Sequence, residues 1–259
     1  EKLLETRPLD LALLEQAAKI AFNQHQLQKS LEFTTTLQLL QPENADRHRQ
    51  TARVLEKMSN WPQAKIERSQ VIAMGDDLTE DWIALGRCFV HLAEWNEVLE
   101  ASNRVLEHEP ENGKACALKG QALMALGKQD EAVKLLNQAT LLAPEEAEPW
   151  LALARMQAET GDEQRSMDTM KAAVLAVPES AEVNFSLGKA FIRGGLFSDG
   201  LPFLRKAAVL APESVEVTLD LGRTLVALGH HEEARRVLKQ GGQRWPSHAA
   251  LAHAYAETA

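Results

Sequence analysis

Six cations on one spacing are the residues of this sequence best placed to do chemistry. Lys19, Arg53, Arg87, Gln121, Arg155, Lys189 and Arg223 follow one another at intervals of 34 residues, in a chain whose formal net charge is -9. A guanidinium or ammonium group once per structural unit would hold carboxylates, steer an acidic ligand and fix its register. Seven residues before each cation runs a second column, Asp46, Glu80, Glu148, Glu182 and Glu216, broken only by Ala12 and Lys114. Carboxylates in a first helical turn are stabilised by the positive helix end and need no ligand. The cations therefore either balance that column or recognise a partner.

Other reactive side chains do not assemble. His230, His231, Glu232 and Glu233 are contiguous, yet they fall where a turn gives way to a helix, and a solvated acidic helix start accounts for them. His91 and His253 are too far apart along the chain to act together. Cys88 and Cys116 show no Cys-x-x-Cys spacing and read as small buried residues. With no phosphate loop, catalytic carboxylate pair or nucleophile motif, the expectation is a protein that is not an enzyme and carries no cofactor or metal. The acidic balance argues against nucleic acid, which needs cations to displace counterions from phosphates. No apolar run approaches the roughly 20 residues that cross a bilayer.

The elements that must position the cations are read from the same period. Pro8, Pro42, Pro110, Pro144, Pro178, Pro212 and Pro246 lie on it, with Asp76 the one gap. Seven periods run without insertion, 11–44, 45–78, 79–112, 113–146, 147–180, 181–214 and 215–248. Such self-similarity marks stacked units whose function lies on an extended surface. The eighth position holds only glycine or alanine (Ala18, Ala52, Gly86, Gly120, Ala154, Gly188, Gly222), and the twentieth is nearly as small (Ser30, Ala64, Val98, Ala132, Ser166, Gly200, Ala234). Two small columns twelve residues apart predict two helices in close crossing. Gly127, Gly161, Gly195 and Gly229 at the fifteenth position predict a turn with positive φ, where His25, Ser59 and Ala93 stand in the first three units. The proline at position 32 ends each helical hairpin.

These residues resemble the tetratricopeptide repeat family. Its pattern is visible in Trp82, Leu85, Gly86, Phe89 and Pro110, and again in Leu187, Gly188, Phe191, Leu204, Ala207 and Pro212. The resemblance covers nearly the whole chain and implies an all-α fold, a right-handed superhelical solenoid of antiparallel helix hairpins. Residues 1–10 read as the end of a preceding repeat helix and 249–259 as the first helix of a partial eighth repeat or cap. With Glu at residue 1, the chain is expected to be a segment of a longer protein. In the family the second, fifth, ninth, twelfth and thirteenth positions face a concave groove. The resemblance therefore makes Arg53, Arg87, Gln121, Arg155, Lys189 and Arg223 a polar rail, and Ile83, Leu151, Phe185 and Leu219 an apolar floor. Family members that clamp a chaperone's C-terminal carboxylate use asparagines at the sixth position, where this chain has Gln16, Gln50, Ala84, Leu118, Ala152, Ser186 and Asp220; that ligand is not expected.

The units are unequal. At position 24 the last four carry Leu136, Met170, Leu204 and Leu238, whereas the first three carry Thr34, Arg68 and Ser102. The first three hairpins are expected to pack differently, with a boundary near residue 112. Gly241 and Gly242 are expected to fray the last second helix. The leading functional expectation is a scaffold for protein–protein interaction that takes an acidic, amphipathic partner segment into its groove. A substrate-recruiting arm of an enzyme such as a glycosyltransferase, with its catalytic domain elsewhere, and a self-assembly module pairing through Leu251 and Tyr255 are the alternatives. Two apparently unpaired cysteines favour the cytoplasm, and the composition suggests a bacterial protein; the compartment stays open.

Overall fold

A computed structural model of the protein describes residues 10–75 and 78–258. The expected helix end before Asp10 lies outside the described residues, as do Pro8 and Asp76. Fifteen helices and no strand occur among the described residues. They are α1 (Leu11–Asn23), α2 (Leu27–Leu40), α3 (Ala45–Lys57), α4 (Trp61–Ala73), α5 (Thr79–His91), α6 (Trp95–His108), α7 (Gly113–Ala125), α8 (Gln129–Leu142), α9 (Ala147–Glu159), α10 (Glu163–Ala176), α11 (Ala181–Arg193), α12 (Phe197–Leu210), α13 (Val215–Ala227), α14 (His231–Arg244) and α15 (Ala249–Ala256). The fold is an all-α helical-repeat solenoid, and among the described residues no helix is long and apolar enough to cross a membrane.

Four of the first helices, α3, α7, α11 and α13, are capped by the side chain of the residue that follows the proline turn. The side chains of Asn44, Asn112, Ser180 and Ser214 accept from the backbone N–H of Asp46, Ala115, Val183 and Val217 at 3.0, 3.0, 3.3 and 3.3 Å. These caps satisfy donors that no helical carbonyl can reach. Position 34 thus carries a start signal that the proline comb alone does not reveal.

The turn between paired helices is the same in all seven hairpins. Gly127, Gly161, Gly195 and Gly229 take φ of 75–84°, and His25, Ser59 and Ala93 take φ of 56–57° at the same position. The following N–H closes the helix end on the carbonyl five residues back, as in Asn60 to Leu55 and His230 to Leu225, at 2.9 and 2.8 Å. A left-handed conformation costs a non-glycine residue roughly 1–2 kcal/mol. Ala93→Gly is therefore expected to stabilise the α5/α6 hairpin by about 0.5–1 kcal/mol after glycine's larger unfolded-state entropy is subtracted. A shift of the denaturant midpoint in that direction, with unchanged slope, is the measurement; an unchanged or lower midpoint would show that the turn is relaxed with alanine.

Packing follows the two small columns. The Ser30 and Ser166 hydroxyls donate to the carbonyls of Ala18 and Ala154 at 3.0 and 2.7 Å, so positions 20 and 8 bring the backbones within one hydrogen bond. At the α11/α12 crossing a Cβ on Gly200 would stand 2.9 Å from the Gly188 carbonyl oxygen. Only hydrogen fits there. The glycines late in α14 do not break it: the helix runs on to Arg244, and Gly241 lies so close to α13 that an added Cβ would meet Thr218 Cγ2 at 2.9 Å. Packing holds what propensity alone would loosen.

Backbone contacts divide the chain into two compact units between Leu135 and Leu136, inside α8 and not at the expected boundary near 112. In the first unit α1 pairs with α2, α3 with α4 and α5 with α6, and each pair rests on the next first helix. In the second unit α9/α10, α11/α12 and α13/α14 stack likewise, and the first helices α9, α11, α13 and α15 touch in sequence.

The first three repeats do pack differently, through ions. Asp81, 3% exposed, receives Arg49 in a bidentate pair at 2.8–3.1 Å and Arg68 at 3.4 Å, and its carboxylate accepts the Leu78 N–H at 3.1 Å. Arg68 also donates to Glu56 at 2.8 Å. Nearby, Arg47 pairs with Glu15, and the His48 Nδ1 lies 2.7 Å from Glu67. At position 24 Arg68 thus belongs to a charge network, whereas the Thr34 and Ser102 hydroxyls donate to the Leu31 and Leu99 carbonyls of their own helices at 3.1 Å each.

Candidate functional site

Positions five and nine lie one helical turn apart and share a face. Because α9, α11 and α13 touch, those positions recur side by side as Leu151, Phe185 and Leu219, with Arg155, Lys189 and Arg223 beside them. The three apolar side chains are half-buried and the three cations exposed. Between α9 and α11 lies a cleft of about 690 Å³ whose walls include Leu151, Arg155, Met170, Phe185 and Lys189. The Lys189 ammonium stands 5.0 Å from the centre of the Phe185 ring, so cation and apolar anchor form one surface.

The cleft is not uniformly cationic. Glu159, Glu163, Glu182 and Glu216 line it together with Arg155, Lys189 and Arg193. The two signs are nevertheless not mutually consumed: among the described residues Arg155, Lys189 and Arg223 join no ion pair. Asp220, beside Lys189 and Arg223, has its carboxyl pushed up by burial and drawn down only partly by those two cations. The face presents cations that still lack a carboxylate partner next to apolar surface.

The first unit arranges the same columns differently. Lys19 and Arg53 border a cleft of about 370 Å³ with Phe22 and Gln50, and the Arg53 guanidinium lies 5.2 Å from the Phe22 ring centre. Arg87 and Gln121 are half-buried. Ile83, expected on the groove floor, is fully buried against Val98, Val105 and Leu118 and offers no surface to a ligand. Ala117 is buried too, and at the same position Glu15 and Arg49 are charged. An apolar floor exists in the second unit and not in the first, where α6 and α7 close over Ile83.

The remaining reactive residues stay dispersed. His91 stacks on Trp61 with ring centres 3.6 Å apart. His230 Nδ1 is 4.0 Å from Glu233, and no three histidine, cysteine or acidic side chains converge as metal ligands among the described residues. Both cysteines are buried, and desolvation, reinforced by the Glu56 carboxylate, pushes the Cys88 thiol up to about 12. Leu251, expected as a self-assembly anchor, is fully buried within the chain against Leu238, with Trp245 and Tyr255 packed alongside. Tyr255 lies under Arg235, whose hydrogen bond lowers the phenol's pKa.

Comparisons with known proteins agree with this architecture. The family model described as tetratricopeptide repeat matches residues 94–156 and 191–258. Among solved structures, one from the APC/C hetero-tetramer Cut9–Hcn1 superposes with TM-score 0.61 at 14% identity over 95% of this chain, which spans 55% of that one. A tetratricopeptide repeat protein from Parabacteroides merdae gives 0.56 at 12% identity, covering 96% and 98% of the two chains. A thermophilic protein of the same repeat type from Thermus thermophilus gives 0.51 at 17%, covering 70% and 98%. No curated protein matches the chain.

Proposed function

Since the chain belongs to the tetratricopeptide repeat family, we propose that it is a non-catalytic scaffold for protein–protein interaction whose second unit holds a partner segment along α9, α11 and α13. The observation that carries this reading is the cleft where Arg155 and Lys189, without carboxylate partners, border the half-buried Leu151 and Phe185. Solenoid arrays offer extended surfaces of this kind. The partner segment places an apolar side chain between Leu151 and Phe185 and its carboxylates beside Arg155 and Lys189. Glu182 and Glu216 oppose a uniformly acidic ligand and so restrict where those carboxylates can lie.

The test is positional cross-linking in an extract of the source cells. A photoreactive phenylalanine analogue replaces Ser186, which lines the cleft, or Leu175, which is 84% exposed on the second helix α10. One partner segment, acidic beside an apolar anchor, is expected to attach at 186 and not at 175. Equal attachment at both places, or none at 186, would remove the cleft from consideration.

A further inference from the structure

Three successive first helices carry an acid, an apolar residue and a cation in the same order. It is Glu148, Leu151 and Arg155 on α9, Glu182, Phe185 and Lys189 on α11, and Glu216, Leu219 and Arg223 on α13. The second, fifth and ninth positions fall on one helix face, because seven residues make close to two turns. Since α9, α11 and α13 touch in sequence, this face of the second unit carries two parallel rows of opposite charge with an apolar row between them. Glu182 and Glu216 line one cleft together with Leu151, Phe185, Arg155 and Lys189. In the first unit the order fails at the fifth position, where Glu15 and Arg49 are charged and Ile83 and Ala117 are fully buried. Beyond the cations, position thirteen reads Glu159, Arg193 and Ala227 and sets no sign.

The two charged rows stand about 10.5 Å apart, seven residues at a rise of 1.5 Å each. An α-helix with its side chains is roughly 10–12 Å across, so one laid across the three repeats with its apolar face down meets both rows with its flanks. An extended strand does not, because its side chains point alternately into the floor and away from it while its flanks are backbone. We propose that the partner segment is an amphipathic α-helix with acidic side chains along one flank and lysine or arginine along the other, an inference that rests on this cleft being the binding face. Its acids lie against Arg155, Lys189 and Arg223, and its cations against Glu182 and Glu216. Turning a helix end for end exchanges its left and right flanks, so rows of opposite sign accept one direction and oppose the other. The charge order thus decides which end of the partner reaches α9.

The experiment uses three synthetic helical peptides of about 20 residues, roughly 30 Å of helix, with one composition and one apolar stripe. The first has glutamates on one flank and lysines on the other, the second has the flanks exchanged, and the third has the two intermixed. Each carries a nitroxide at its N-terminus, and binding is followed through the amide resonances of the whole chain. Both segregated peptides are expected to bind at least about tenfold more tightly than the intermixed one. The nitroxide of the first should broaden amides at one end of the row, in α9 or in α13, and that of the second the opposite end. Equal affinity of the intermixed peptide, binding by none of the three, or the same end broadened by both segregated peptides would overturn the proposal. Cross-linking at Ser186 needs neither a helix nor ordered flanks, so its outcome separates failure of this ligand from failure of the cleft.

Discussion

Asp81→Ala lowers stability by about 3 kcal/mol, measured as hydrogen-exchange protection of α3 to α5, although it deletes one small side chain. Removing one partner of a buried ion pair costs roughly 3–5 kcal/mol because the other charge is left desolvated. The value falls at the lower end here because Arg49 keeps Asp46 at 2.8 Å and Arg68 keeps Glu56 at 2.8 Å. Two consequences separate this account from simple loss of packing. Asp81→Val combined with Arg68→Leu should recover most of the loss, since the last two repeats bury Val183 and Val217 at the position of Asp81 and Leu204 and Leu238 at the position of Arg68. Protection of α11 to α14 should not change, because stability in repeat arrays is a sum over units and neighbouring interfaces. A double variant as unstable as the single would show that Asp81 acts through its bond to the Leu78 N–H and not through the arginines.

Reversing two charges, Arg155→Glu with Lys189→Glu, weakens binding of the segment captured at Ser186 by about 100-fold or more. Each charged hydrogen bond is worth roughly 1.5–3 kcal/mol, and 1.4 kcal/mol is tenfold in affinity. Both side chains are exposed and outside every small-residue crossing, so far-UV helicity and unfolding midpoint should stay as they are. Arg53→Glu, in the first unit, should leave the affinity alone. The wild-type interaction should also weaken as salt rises, because salt screens the attraction between charges that meet at a solvent-exposed surface. Titration calorimetry on the three proteins decides the matter. Equal affinity for all would leave the cations with no role in recognition and return them to charge balance.

The fold was legible because its determinants repeat. Glycine or alanine at position 8, a small residue at 20, a positive-φ turn at 15 and a chain-ending proline at 32 are each local requirements of one helix, one turn or one crossing, and the structure meets them at Gly188, Gly200, Gly229 and Pro178. Even the alanine, serine and histidine at position 15 take up the conformation that the glycines mark. The caps at Asn112 and Ser180 were open to the same reading, since a short polar residue before a helix is a local signal. The pairing of Arg68 with Asp81 was half-visible: a charge in an apolar column needs a partner, but nothing in the period says which of the acids it meets.

The site was legible only as columns. A position in the repeat sets the direction in which a side chain leaves its helix, and that much is decided by residue order alone. Whether the side chain then meets solvent depends on helices contributed from elsewhere in the chain. Ile83 and Phe185 occupy one column, yet Ile83 is sealed by Val98 and Leu118, whereas Phe185 stays half-open beside Lys189. Periodicity determined the hairpins, their crossings and the face on which the cations lie. Tertiary packing decided which members of each column are accessible, because burial is a sum over neighbours and not a property of the residue.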